Sequence, residues 1–190
     1  MAAPARPNPN TAGTTYLNIP SVANEIRAIR RSTDEGHISG IWNAILNWTF
    51  DPVNGYITRP QNMHRARGRR GFSDFHTLQY FGANRRFFLI TQCKRPTPGD
   101  AIWEEGRQQL DRYLSMQHRT RPANARPRVY GILAVGRYVR FYIYSDNRQG
   151  CNSWRPGRQW AETHEDQRGY DILNEAHLVQ NALRFILNNH

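Results

Sequence analysis

The sequence predicts an α/β fold, a central mixed β-sheet flanked by helices, and three observations carry that prediction. Helical periodicity of apolar residues opens the chain twice and closes it once. Apolar, strand-like runs bounded by Gly and Pro fill the middle. A further helix-period segment divides those runs into two sets, the pattern of helices packed on a sheet. With 190 residues and 38% hydrophobic content, the chain suffices for one sizeable core. The expected organisation is a flexible N-terminal arm over residues 1–19 and a single domain over 20–190.

The arm, "MAAPARPNPNTAGTTY", is rich in Pro, Asn and small residues. "SVANEIRAIRR" then sets Val22, Ile26 and Ile29 at helical spacing, with Ser21 as a candidate N-cap. In "HISGIWNAILNWTF", Ile38, Ile41, Ile45 and Trp48 form a second stripe, which "DPVNG" stops. "YITRP" reads as a short strand, and residues 61–71, "QNMHRARGRRG", as an exposed basic loop. "FSDFHTLQYFG" and "RRFFLITQCK" have strand character and meet at a turn over residues 82–84. "AIWEEGRQQLDRYLSM" resumes helical spacing, although Gly106 costs a helix interior about 1 kcal/mol relative to Ala. A second basic loop, "QHRTRPANARPR", precedes the strands "VYGILAV" and "YVRFYIYSD", with Gly136 and Arg137 as a tight connection. Residues 147–169 read as a long polar loop, whose Trp154, Trp160 and neighbouring Tyr170 suit either base stacking or capping of the core. In "YDILNEAHLVQNALRFILNNH", Ile172, Ala176, Val179, Leu183 and Ile186 mark the closing helix.

Charge narrows the function. A formal net charge of +11 and a pI near 10.5 point to a polyanionic partner. Nucleic acid fits better than a membrane, because no run approaches the ~20 apolar residues of a spanning helix and the arginines sit beside Pro and Gly. The first residues lack the apolar centre of a signal peptide. Cys93 and Cys151 are too few for a disulfide framework, which together with the missing signal suggests an intracellular location, nuclear or cytoplasmic.

Of the 26 basic residues, 25 are arginine; the single lysine is Lys94, at the end of the apolar run "FFLITQCK". Side chains alternate along a strand, so Gln92 and Lys94 share a face. A hairpin turn at 82–84 brings Asp74 of the preceding strand beside them. A carboxylate, an amide oxygen and an ammonium then converge.

Asp74 followed by Gln92-Cys93-Lys94 resembles the PD-(D/E)XK nuclease superfamily, which sets an Asp on one strand and an acidic residue, any residue and Lys on the next. Gln109, Leu110 and Tyr113 in "QLDRY" look like the Gln-apolar-x-x-Tyr motif of its RecB-like branch, and Glu25 occupies a first helix where many members carry an extra acidic ligand. The resemblance spans roughly residues 20–145. It implies a restriction-endonuclease-like core and phosphodiester hydrolysis with Mg²⁺ or Mn²⁺, with DNA rather than RNA as the expected target. It assigns the metal to Asp74, the Gln92 side-chain oxygen, the Cys93 backbone carbonyl and Glu25 through water. Lys94 would orient the attacking water, a role for which the broad, permanently charged guanidinium of Arg is poorly shaped. Arg65, Arg67, Arg69, Arg70, Arg119, Arg121, Arg126 and Arg128 are the candidate phosphate contacts, whose sequence-independent affinity should fall with salt.

Gln92 departs from the pattern, since a neutral amide adds less charge to hold a cation. Two alternatives therefore stay open: a catalytically inactive nucleic-acid-binding module of the same fold, and a basic, toxin-like domain that binds an acidic partner. His64, His76 and His118 have no ligand spacing with the cysteines.

Overall fold

The structure, a computed structural model, describes residues 5–66, 69–119, 128–145, 148–154 and 169–190; for 61–66, 69–72, 145, 148 and 149 this covers the backbone alone. Among the described residues the helices are α1 (Pro20–Ala28), α2 (Glu35–Thr49), α3 (Ala101–Arg119) and α4 (Ala176–Asn188). The strands are β1 (Tyr56–Ala66), β2 (Arg69–Phe81), β3 (Asn84–Lys94), β4 (Val129–Val135), β5 (Tyr138–Ser145), β6 (Arg148–Trp154) and β7 (Tyr170–Asp171). They form one mixed sheet in the order β1-β2-β3-β4-β5-β6, with β7 also on β5. Only β3 and β4 are parallel, and α3 is the crossover between them. The fold is the α/β class that the sequence predicts.

Both faces of the sheet are covered. On one, Trp42 and Ile45 of α2 and Val179 and Leu183 of α4 bury against Tyr130, Ile132 and Phe141. On the other, Leu110 and Leu114 of α3 pack on Ile90, Val129 and Leu133. Two glycines set how closely α3 approaches. A Cβ at Gly106 would stand 2.5 Å from Leu133 Cδ1, and one at Gly131 2.6 Å from Leu110 Cδ2 and 2.9 Å from Leu114 Cδ1. The helix thus tolerates Gly106 because contact with the sheet offsets the propensity cost. Gly131→Ala should lower stability by about 1–3 kcal/mol through overpacking, read as a shifted midpoint in urea unfolding at constant slope.

Several expectations change. Residues 61–66 and 69–71 are ribbon rather than loop: Met63 pairs with Phe72, and Arg65 with Arg70, as β1 and β2 continue together beyond the rest of the sheet. Of the long polar loop, residues 148–154 form β6. Trp154 is buried against Tyr130, Phe141 and Phe185 and donates through Nε1 to the Tyr142 carbonyl, so it caps the core and offers no face to a base. Tyr170 is likewise buried, in β7, so the closing helix starts at Ala176 and Ile172, expected on its stripe, lies in the turn before it. Trp160 lies outside the described residues. At α1 the first helical residue is Pro20, where a missing N–H costs nothing, and Ile19 rather than Ser21 is the N-cap.

From Arg6 onward the N-terminal segment, expected as a flexible arm, is a strap. Arg184 of α4 donates to the carbonyls of Pro9 and Thr11, both at 2.6 Å, and of Thr14 at 2.5 Å. Trp48 Nε1 donates to the Pro7 carbonyl at 2.7 Å, and Arg6 pairs with Asp51 at 3.1 Å. One guanidinium thereby satisfies three carbonyls of a segment whose own sequence forms no regular ladder. Both cysteines are free and buried. No helix among the described residues is long and apolar enough to cross a membrane.

Candidate active site

The site lies where β2 and β3 part. Their pairing runs from Phe81↔Asn84 to Phe75↔Thr91, after which β2 continues with β1 alone. At that fork the Asp74 carboxylate takes the place of the next ladder bond: its Oδ2 accepts from the Cys93 backbone N–H at 2.6 Å. The N–H and C=O of one strand residue leave by the same edge, so the Cys93 carbonyl also points toward β2. Lys94 faces the other way along the backbone, its carbonyl accepting from Gly136 N–H at 2.9 Å.

A pocket of about 450 Å³ opens at the fork, lined by Glu35, Ser73, Asp74, Gln92, Lys94, Gln109 and Tyr113. Asp74 comes from β2, Gln92 and Lys94 from β3, and Gln109 and Tyr113 from one face of α3. Gln92 is only 2% exposed, while Lys94 is half-buried. Gln109 donates to Glu105 at 3.1 Å, which orients its amide. Burial pushes the Tyr113 hydroxyl up, with the Arg112 charge opposing this and Asp74 adding to it.

Glu25 is elsewhere. It pairs with His37 at 3.2 Å and lines a separate recess between α1 and α2 with Val22 and Ile41. The acidic residue that reaches the pocket is Glu35, the first residue of α2, beside the capping Asp34. A carboxylate in the first helical turn is favoured by the positive end of the helix dipole, which supplies a local reason for Glu35 there. That first-turn acid was visible in the sequence; which end of α2 meets the fork was not.

Burial is the largest influence on the Asp74 carboxyl and raises it above the ordinary carboxylate value. The Cys93 N–H pulls it down, the Glu35 charge pushes it up, and the Lys94 charge pulls it down. The raised value fixes the sign of a stability effect. Stability linked to Asp74 is complete below the unfolded-state carboxyl value and is lost as pH rises through the folded one. Asp74→Asn keeps an oxygen acceptor for Cys93 and carries no charge. In EDTA it should therefore melt above wild type at pH 7 to 8, with the difference closing near pH 3 to 4. A wild type that gains on the variant as pH rises would mean that the Cys93 bond outweighs burial.

The donor set suits a hard cation that keeps its waters. Two carboxylates of like charge, an amide oxygen and a backbone carbonyl are oxygen ligands of the kind Mg²⁺ or Mn²⁺ takes alongside retained water. Among the described residues no three His, Cys, Asp or Glu side chains cluster as a metal cage. Of the candidate phosphate-binding arginines, Arg119 ends α3 and Arg128 precedes β4, both exposed. Arg65, Arg69 and Arg70 lie on the β1–β2 ribbon by backbone only, and Arg67, Arg121 and Arg126 fall outside the described residues.

Compared with family models, curated proteins and solved structures, the chain finds no match in any of the three. The resemblance to PD-(D/E)XK nucleases thus rests on the residues of the fork and α3 themselves.

Proposed function

We propose that the chain is a nuclease that hydrolyses phosphodiester bonds with a bound Mg²⁺ or Mn²⁺, DNA being the expected substrate. The observation that carries this reading is the meeting of Asp74, Glu35, Gln92 and Lys94 in one pocket, drawn from three separate elements. Asp74, the Gln92 oxygen and the Cys93 carbonyl would hold the cation, with Glu35 in the role first expected of Glu25. The bound cation would supply charge neutralisation on the phosphate and a more acidic water. Lys94 holds the attacking water and faces the negative charge that grows on the phosphate. Gln109 and Tyr113 form the α3 wall, where an amide and a hydroxyl can donate to phosphate oxygens. The water oxygen bonds phosphorus, one ester P–O bond breaks, the water proton passes to a carboxylate or solvent, and the leaving oxygen takes up a proton.

The test is cleavage of labelled single-stranded and duplex DNA and RNA in Mg²⁺, in Mn²⁺ and in EDTA. Cleavage with metal and none in EDTA supports the reading. A second reading, an inactive binding module, is favoured by one observation: the ligand position beside Asp74 is the neutral Gln92. Binding without cleavage under every metal condition would select it.

A further inference from the structure

The sheet face that carries Asp74 continues past α3 into an open patch of arginines and aromatic rings. Side chains alternate along β2, so Asp74, His76, Leu78 and Tyr80 share one face. Across β1, Arg59 is in register with His76 and Ile57 with Leu78. The ring and guanidinium contacts agree with this alternation. The His76 and Phe87 rings lie 4.3 Å apart, and the guanidinium carbons of Arg59 and Arg85 stand 5.8 and 5.4 Å from the Phe87 centroid. Arg59 Nη2 reaches the Tyr80 hydroxyl at 3.4 Å. Helix α3 packs over β3 and β4, and beyond it the outer layer of the face is open: Tyr80 is 40% and Ile57 38% exposed, Arg85 is exposed and Arg59 and Phe87 are half-buried, while His76 and Leu78 lie buried beneath them.

We infer that this patch is a seat for single-stranded nucleic acid, running from the fork toward Tyr80. The inference rests on the nuclease reading for its ligand class. Arg59 and Arg85 are held against Phe87 instead of trailing into solvent, so their donors are partly ordered before a phosphate arrives. No carboxylate is among the contacts of these two arginines described above, and the whole chain carries +11, so the favoured occupant is a polyanion. The exposed Tyr80 ring decides which kind. Bases in a duplex are stacked on one another and offer no free face in the groove, whereas an unpaired base can stack on an aromatic ring. The geometry also fits one strand leading to the fork. Arg59 stands one side-chain row, about 7 Å, beyond Asp74, and Tyr80 about 20 Å beyond it, along the same face.

Fluorescence anisotropy in EDTA tests the seat, with fluorescein-labelled oligothymidylate as the single strand and a blunt DNA duplex of equal length as the comparison. Removing both cations in Arg59→Ala/Arg85→Ala should weaken oligothymidylate binding at least about tenfold and flatten its salt slope by about 1.4, from about 0.7 per phosphate contact. Tyr80→Ala should weaken it by about 5-fold to 150-fold and leave duplex binding unchanged, and Tyr80→Phe should restore it. Wild-type affinity and slope in the double variant, or equal losses on duplex and single strand in Tyr80→Ala, would overturn the inference, as would a wild type that does not bind oligothymidylate. Circular dichroism of each variant identifies a loss due to misfolding, in which case Arg59→Gln/Arg85→Gln serves instead. Because the assay contains no metal, its outcome is independent of cleavage. Failure of the nuclease reading appears separately, as an Asp74→Asn variant that cleaves like wild type.

Discussion

Asp74→Asn should reduce metal-dependent cleavage by about a thousand-fold or more, since loss of the cation's main carboxylate removes several kcal/mol of charge stabilisation. Nucleic-acid affinity in EDTA should change little, because one neutralised carboxylate barely alters a chain of +11 charge. The companion variant Lys94→Ala separates the roles. It leaves both carboxylates and Gln92 in place, so Mg²⁺ affinity by calorimetry should stay close to wild type or rise slightly as a nearby positive charge is lost. Cleavage should nevertheless drop by about 10² to 10³, the usual worth of a positioned charge in the transition state. Lys94→Arg should not restore it, because a planar fork cannot replace a compact ammonium at a water site. Single-turnover rates at saturating metal measure both variants. Wild-type rates in Lys94→Ala would remove Lys94 from the chemistry and leave its place as the chain's only lysine without mechanistic meaning.

What could be read from the sequence follows from where local patterns are decisive. Alternation puts Gln92 and Lys94 on one face of an apolar strand, but the hairpin register alone would set Asp74 opposite Thr91; a bulge that leaves Phe88 unpaired shifts the register by one and brings Asp74 onto their face, which no local pattern announces. The spacing of Gln109 and Tyr113 does place them together on a helix. The β1–β2 ribbon escaped because "QNMHRARGRRG" is dominated by Arg, Gly and polar residues: backbone pairing builds it, and no hydrophobic period announces it. Strand β6, "RQGCNSW", hides for the same reason. The choice between Glu25 and Glu35 is tertiary. Both are acidic residues on amphipathic helices, and only the packing of α2 across the sheet brings its first turn to the fork and leaves Glu25 with His37. The strap shows the same limit. Its Pro- and Asn-rich sequence carries no apolar period, and one of the residues that hold it, Arg184, is about 170 residues away.

Gln92→Glu should act with opposite signs with and without metal, and this makes it the sharpest probe of the fork. Gln92 is 2% exposed and shares its pocket with Asp74, whose carboxyl is already raised by burial and by the Glu35 charge. A third carboxyl there meets the same desolvation and two like charges, so its folded-state proton affinity is raised too. In EDTA the variant should therefore lose stability as pH rises through that raised value, by up to about 3–5 kcal/mol if the new charge stays uncompensated. Below the ordinary glutamate value of about 4.3 the loss should disappear. A divalent cation reverses the balance, because the added negative charge strengthens its binding, and every tenfold gain in affinity adds about 1.4 kcal/mol of stability at saturating metal. Melting temperatures at pH 7.5 should thus fall below wild type in EDTA and recover with millimolar Mg²⁺ or Mn²⁺, by a larger step than wild type shows. Cleavage should rise in parallel, or emerge if the wild type has none. A variant that melts like wild type in EDTA would show that Gln92 does not face the carboxylates. A variant that is destabilised and that neither metal restores would mean that the fork holds no cation, and the chain would then be a nucleic-acid-binding module without hydrolysis.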